Sequence, residues 1–186
     1  SFGTRKPLRS IVPPQLHKNK FLPWPKYNPN TARSLLKKEG YCETNILSIP
    51  LTFRSNVPAD KLLALTWKDQ VKRDLSDCIE ITLNGIESTT VYKQLSEGAF
   101  EAVILDWTGA YPDPEAYLTP LLSCNKINNN SCIKGEAVFS GSFWGDNKVQ
   151  ELLEKSEELE GESRLENLKK VEQIVAQGSA YLPIWL

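Results

Sequence analysis

The chain has 186 residues, with 22 Lys+Arg against 23 Asp+Glu, a hydrophobic fraction of 40% and a charged fraction of 24%. At roughly 150 residues per domain that is about one domain, able to bury on the order of 70% of its unfolded surface, and the composition excludes a disordered chain. The formal net charge of −1 gives no reason to expect a nucleic-acid or membrane-surface partner. The longest apolar stretches, Ala102–Leu105 and Ala180–Leu186 broken by Pro183, exclude a membrane-spanning helix of about 20 residues.

The chain starts at Ser1, contains no Met and opens on SFGTRKPLRS, which lacks an apolar signal-peptide region. It is therefore expected to be processed or cut from a longer chain. Residues 1–40 hold nine Lys/Arg and one acid, Glu39, whereas residues 146–173 hold nine acids and five bases. The basic arm, with aromatics set among prolines rather than in a stacking array, reads as a solvated segment. Pro7, Pro13, Pro14, Pro23, Pro25 and Pro29 fix φ and remove donors, so residues 1–26 are expected to run extended over a surface. Asn28-Pro29-Asn30-Thr31 starts a helix that ends at Gly40, with Leu35 and Leu36 toward the core. Ile46–Arg54 reads as a strand, with Pro50 marking an edge or an irregularity. Pro58-Ala59-Asp60 opens a helix through about Leu75, with Leu62, Leu63, Leu65, Val71 and Leu75 on its apolar face and Trp67 near the middle. Cys78–Leu83 alternates as a strand. Ser88–Glu97 is a short helix with Val91, Tyr92 and Leu95 inward, stopped by Gly98. Phe100–Trp107 is a nearly continuous apolar run and is expected to be a strand buried on both faces. Asp113-Pro114-Glu115 starts another helix, Asp as cap and Pro in the first turn. Asn147–Glu158 and Ser163–Gly178 are amphipathic helices, the second with a Ser163…Glu166 capping box. Leu182–Leu186 reads as a last strand. The alternation predicts an α/β fold with a mixed, mainly parallel sheet flanked by helices, an arm over 1–26 and an α/β segment over 27–186.

Four cysteines, Cys42, Cys78, Cys124 and Cys132, form no C-x-x-C pair, and the single His17 lies far from all of them in sequence, so no zinc site is expected. Cys42 and Cys78 each precede a predicted strand, and parallel neighbouring strands would bring them within bonding distance. Cys124 and Cys132 bracket the polar loop NKINNNS. Two disulfides, implying an oxidising compartment, and buried free thiols both stay open. Nucleophilic catalysis has no G-x-S-x-G to stand on, since Ser140-Gly141-Ser142 is only a superficial likeness, and His17 reads as an exposed surface residue. There is no Walker A loop and no G-x-G-x-x-G. Asp106 and Asp113 are the carboxylates available for acid–base work, but Asp113 is explained by helix capping and Asp106 has no evident partner. What remains is the loop Asp106–Pro114, which leaves the carboxyl end of the most buried predicted strand, where open α/β sheets bind ligands. Trp107, Thr108, Gly109, Ala110, Tyr111 and Asp113 make it a recognition surface rather than a reaction centre. Arg54, ending another predicted strand, is the candidate anion anchor of the same crevice.

Three stretches carry a resemblance. Tyr27–Tyr41 (YNPNTARSLLKKEGY) resembles Y-[DN]-P-x-x-A-x-x-L-L-x-x-x-G-Y. Gly98–Leu118 (GAFEAVILDWTGAYPDPEAYL) resembles G-x-[FY]-D-x-x-x-x-x-W-x-x-D-Y-x-D-P-x-x-F-L. Asn147–Leu186 resembles a final helical pair ending in a P-x-x-P-L-like Tyr181-Leu182-Pro183-Ile184. In this order, over nearly the whole chain, they resemble the family 5 extracellular solute-binding proteins of ABC importers, the oligopeptide, dipeptide and nickel binding group.

That resemblance implies one lobe, mostly C-terminal, of a type II periplasmic-binding-protein-like fold, the other lobe being absent from this chain. It implies a non-enzyme without cofactors that captures a peptide or other small solute in an inter-lobe cleft and hands it to a membrane permease. The location it implies is the periplasm or the outer face of the cytoplasmic membrane. The Trp107–Asp113 loop would line the cleft, and Arg54 falls where some relatives place a carboxylate-binding Arg. Ala110 stands where peptide-binding relatives often carry the Asp that pairs with the peptide amine. A buried amine without a counter-charge costs several kcal/mol. The expected ligand is therefore non-peptide, or its counter-charge comes from Asp106 or the other lobe. The rival expectations are a self-contained α/β hydrolase using Asp106 or Asp113, and a structural interaction domain.

Overall fold

The computed structural model describes residues 5–17 and 21–186; the first four residues and Lys18, Asn19 and Lys20 of the basic arm lie outside the described residues. The chain divides into two compact units, one of residues 27–106 and one combining residues 1–26 with 107–186.

In the 27–106 unit, helix α1 (Pro29–Lys38) is capped by Asn28, whose side chain accepts from the Thr31 N–H at 3.1 Å. It ends at Gly40, φ +83°, with Tyr41 N–H bonded to the Leu36 carbonyl at 2.9 Å. This is the left-handed stop that favours glycine. Leu35, expected inward, is 59% exposed. The helix packs instead by the Ala32–Leu36 line, four residues apart and both half-buried, because one turn brings only that stripe to the core. Strands β1 (Leu47–Arg54), β2 (Ile79–Ile86) and β3 (Ala102–Val103) form a parallel sheet in the order β2-β1-β3. Helices α2 (Pro58–Leu75) and α3 (Ser88–Leu95) make the crossovers, as parallel pairing requires.

Pro50 therefore lies in the central strand, not at an edge. Leu47 N–H points to β2, where it meets the Cys78 carbonyl, so Pro50, three residues on, faces the β3 side. There pairing begins only at Leu51↔Ala102, so no ladder bond is lost. In α2 the buried stripe is Asp60, Ala64, Val71 and Leu75. Leu62 and Leu65 are 62% and 44% exposed. Leu62 is turned by about 200° from Asp60, which puts it outside that stripe. In α3, Val91 and Leu95 are buried, but Tyr92 is half-exposed. The Phe100–Trp107 run is not a strand buried on both faces. Only Ala102–Val103 is strand, it is an edge, and Ile104 alone is buried before the chain leaves the sheet. The core gathers Leu51, Phe53, Ala64, Val71, Leu75, Ile81 and Ile104. Cys42 and Cys78 form a disulfide across 36 residues. In the chain-entropy picture a loop of that length contributes about 4 kcal/mol by constraining the unfolded chain.

The other unit contains α4 (Glu115–Leu122), a hairpin of β4 (Lys126–Asn128) and β5 (Ser131–Lys134), α5 (Glu136–Phe139), α6 (Asn147–Glu158) and α7 (Gly161–Gly178). The hairpin occupies the stretch read as a polar loop. Asn129 and Asn130 turn it with φ of 48° and 62°, the left-handed pair that two-residue hairpins need and Asn tolerates. A disulfide joins Cys124 to Cys132. α6 begins where expected, with Asp146 accepting from the Val149 N–H. α7 begins at Gly161 and has no side-chain cap bond, so the Ser163…Glu166 capping box is not formed; Glu166 pairs with Lys169 instead. The Leu182–Leu186 segment is no strand; among the described residues it makes a single bridge, Pro7↔Trp185.

The core of this unit joins α4, α6 and α7 through Leu118, Leu122, Val149, Leu152, Leu168 and Val171, and it includes Val12 and Trp24 of the arm. The arm is therefore not simply solvated: Val12 is fully buried, Trp24 is 4% exposed, and its indole N–H donates to the Tyr181 carbonyl. His17, expected at the surface, is buried with its Nε2 2.9 Å from the carboxylate of Glu172. Among the described residues no helix is long and apolar enough to cross a membrane.

Candidate functional site

Two arrangements hold the residues singled out in the sequence. The first lies at the end of β1. Arg54 is 6% exposed, and its guanidinium makes a two-pronged pair with Asp60 (2.7 and 3.1 Å), reaches the Tyr92 hydroxyl at 2.7 Å and pairs with Asp106. The short link from β1 to the first turn of α2 makes the Asp60 contact. The Asp60 carboxylate, with Asp106 behind it, pushes the Arg54 pKa up, so the charge is fixed. Asp106, which has no partner readable in the sequence, is thus tied to Arg54, with the Tyr92 hydroxyl 3.4 Å away. The donors of Arg54 go to protein carboxylates and a hydroxyl, which makes it an internal brace of the 27–106 unit.

The second arrangement is the loop at the start of the 107–186 segment. Its base is rigid. The Trp107 indole N–H donates to the Ala116 carbonyl at 3.2 Å, in the first turn of α4. A Cβ on Gly109 would lie 2.5 Å from the ring of Tyr117, so only glycine lets the backbone come this close. Asp113 Oδ1 accepts from the Glu115 N–H at 2.8 Å, the helix-starting role expected of it. Both Asp113 oxygens accept from Arg164, at 2.8 and 2.9 Å, and the same guanidinium also reaches Glu115.

On that base the loop turns outward. Trp107 is 47% and Tyr111 52% exposed, and Thr108 and Ala110 are exposed between them. Two aromatic faces, a hydroxyl and free backbone suit stacking and hydrogen bonding to a solute. The Arg164 guanidinium holds Asp113 below the usual carboxylate range and so favours its ionised form. Arg164 itself escapes the sequence reading because its partner lies 51 residues away and neither helix pattern marks it. Among the described residues no group of three His, Cys, Asp or Glu could hold a metal ion.

The Asp113 shift gives a pH prediction. A depressed folded-state pKa contributes stability that is fully present above the unfolded value, about 3.9, and is lost as pH falls through the folded one. Urea unfolding between pH 5 and pH 2.5 is therefore expected to show a smaller acid-induced loss in Asp113→Asn than in the parent chain. Equal losses would mean that the Arg164 pair carries no such linkage.

Residues 1–129 match the model of a family described as bacterial extracellular solute-binding proteins, family 5 Middle. The chain is 26% identical over 190 residues to Di/tripeptide-binding protein 4 of Pseudomonas aeruginosa (strain UCBPP-PA14), covering 98% of this chain and 33% of that protein. It is 25% identical over 164 residues to Heme-binding protein A of Haemophilus influenzae, covering 85% and 27%. Among solved structures it is similar to the Escherichia coli murein tripeptide binding protein MppA, with TM-score 0.82 and 18% identity over 98% of this chain and 34% of that one. It is also similar to a dipeptide binding protein from Pseudoalteromonas sp. SM9913 in complex with Met-Leu, with TM-score 0.78 and 22% identity over 99% and 35%. At these identities the structural likeness shows the fold, the mixed α/β arrangement of type II periplasmic-binding proteins expected from the sequence. The chain spans about a third of the length of the curated relatives it matches. With the family's pattern running through more than half of its residues, the chain belongs to the bacterial extracellular solute-binding proteins, family 5.

Proposed function

We propose that this chain is part of the ligand-capturing component of an ABC import system, working at the outer face of the cytoplasmic membrane or in the periplasm. It holds a peptide or another small solute and delivers it to a membrane permease. The two compact units supply part of the ligand-holding protein, and a further part of a longer polypeptide closes over the ligand. The observation that carries this reading is the loop itself: Trp107 and Tyr111 stand about half exposed on a base fixed by α4 and Arg164. Trp107 and Tyr111 supply stacking area, and Thr108 and the backbone of Gly109 and Ala110 supply hydrogen bonds. Asp113 supports the loop from behind, bound to Arg164, and Arg54 and Asp106 brace the 27–106 unit. Ala110 itself brings no carboxylate to an ammonium, so the counter-charge for a charged amine comes from Asp106, whose side chain is 72% exposed, or from the further part of the polypeptide.

The test is titration of the longer protein with a panel of dipeptides headed by Met-Leu, and separately with haem, read by intrinsic fluorescence. The signal is expected to saturate with at least one of these solutes, and Trp107→Ala to weaken that affinity about tenfold, the ~1.4 kcal/mol of one lost aromatic anchor. The 186 residues alone are expected to bind far more weakly. Micromolar binding by the isolated chain would refute the shared cleft, and unchanged affinity in Trp107→Ala would remove the loop from the site.

A further inference from the structure

We propose that Arg164 is a positioning residue of the solute-facing loop: from the first turns of α7 it grips Asp113 and Glu115 and so fixes the conformation in which Trp107 and Tyr111 are presented. This rests on the loop being the binding surface, and it adds a determinant lying outside that loop.

The loop is referenced to one small piece of structure, the first turn of α4. Its leading end is tied there by the Trp107 indole bond to the Ala116 carbonyl, and its middle by the close approach of Gly109 to the Tyr117 ring. Its trailing end is Asp113, which caps that same turn. Ala116 and Leu118 bury the inner side of that turn, and Arg164 holds its acidic side chains. Its two Nη atoms meet both oxygens of Asp113, at 2.8 and 2.9 Å, and one of them also reaches Glu115. The planar fork matches two carboxylates at once, which a lysine cannot do. All three side chains are partly withdrawn from water, at 22%, 31% and 26% exposure for Arg164, Asp113 and Glu115, so solvent competes with the contact less than at an open surface.

The support behind Arg164 is rigid. It sits one residue before Leu165 on a helix whose Leu168, Val171 and Val175 are buried in the core of this unit. Without the guanidinium, two carboxylates two residues apart lose the cation they share. Both still lie at a helix N-terminus, where the helix dipole favours negative charge. The expected consequence is therefore a displaced loop on a helix that still forms.

The test is fluorine NMR of the 186-residue chain labelled with 5-fluorotryptophan. Five tryptophans give five resonances, and that of Trp107 is assigned from Trp107→Phe. In Arg164→Gln the Trp107 resonance is expected to shift or broaden while the other four stay, with partial return in Arg164→Lys. An unmoved Trp107 resonance in a folded Arg164→Gln, whatever its stability, would overturn the proposal and leave Arg164 a plain brace. If Arg164→Gln fails to fold, Glu115→Gln removes one arm of the grip; a smaller shift of Trp107 alone is expected, and no shift overturns the proposal. The readout needs no ligand. A moved Trp107 in the 186 residues, with a longer protein that binds none of the solutes tested, would sink the binding reading and leave the positioning role standing.

Discussion

Replacing Glu172 by Ala is expected to destabilise the chain by about 3–5 kcal/mol, because it orphans several buried donors at once. The Glu172 carboxylate is fully buried. Its Oε1 accepts the backbone N–H groups of Ile11 and Val12, at 2.6 and 3.0 Å, and the Ser10 hydroxyl lies 2.9 Å away. His17 Nε2 is 2.9 Å from Oε2. Truncation leaves donors on the arm buried without an acceptor, and each orphaned group costs roughly 1–3 kcal/mol. Van der Waals contact around α7 is lost as well. Urea unfolding measures the change directly, and a fall in Tm of about 10 °C should accompany it for a chain of this size. Glu172→Gln keeps the shape and one acceptor oxygen, so it is expected to lose less than Glu172→Ala. A loss below ~1 kcal/mol in Glu172→Ala would show that the arm is not held by this carboxylate. Ser10, His17 and Glu172 share the residue types of a hydrolytic triad, but Ser10 is 1% exposed and its hydroxyl lies against the carboxylate. The cluster fastens the arm to α7.

The second large effect concerns Arg54. Arg54→Leu removes the guanidinium from Asp60, which is 5% exposed and has its two-pronged contact there. An uncompensated buried carboxylate costs about 3–5 kcal/mol, and the expected loss in urea unfolding is in that range. Adding Asp60→Asn, which removes the orphaned charge, is expected to recover more than half of it. The double-mutant cycle isolates the coupling. If Arg54→Leu alone is nearly neutral, Asp60 finds water or another partner and the pair is no brace. Asp106, at 72% side-chain exposure, is the weaker arm, because solvent screens it. Asp106→Asn is therefore expected to leave most of the brace in place.

Local signals in the sequence read well wherever neighbouring residues make the decision. Pro58–Leu75 and Asn147–Glu158 are helices over the expected residues, because a cap or an N-terminal proline and a 3.6-residue apolar period lie within each segment. Asp113 caps α4 for the same local reason. The alternation of helix and strand, and with it the parallel sheet, follows from segment order.

The misreadings share a different cause. Leu35, Leu62 and Leu65 are apolar at helical spacing, yet they are exposed, since which stripe of a helix is covered depends on what packs against it. The Phe100–Trp107 run looks like an inner strand, but only Ala102–Val103 is strand and it forms an edge, because among the described residues nothing pairs with its far side. The Ser163…Glu166 box is outcompeted by two more residues of helix and by Lys169.

Backbone propensity, capping and periodicity act over a few residues, so the class of fold, the limits of most helices and the place of the Trp107–Asp113 loop are legible from neighbouring residues alone. What that loop rests on, and where the arm is fastened, follows from long-range packing. Asp113 finds Arg164 across 51 residues, and Ser10 finds Glu172 across 162. A charge or a hydroxyl carries no local imprint of a partner so distant. Its role is set when the apolar cores close and leave each buried polar group only the neighbours that packing has brought within reach.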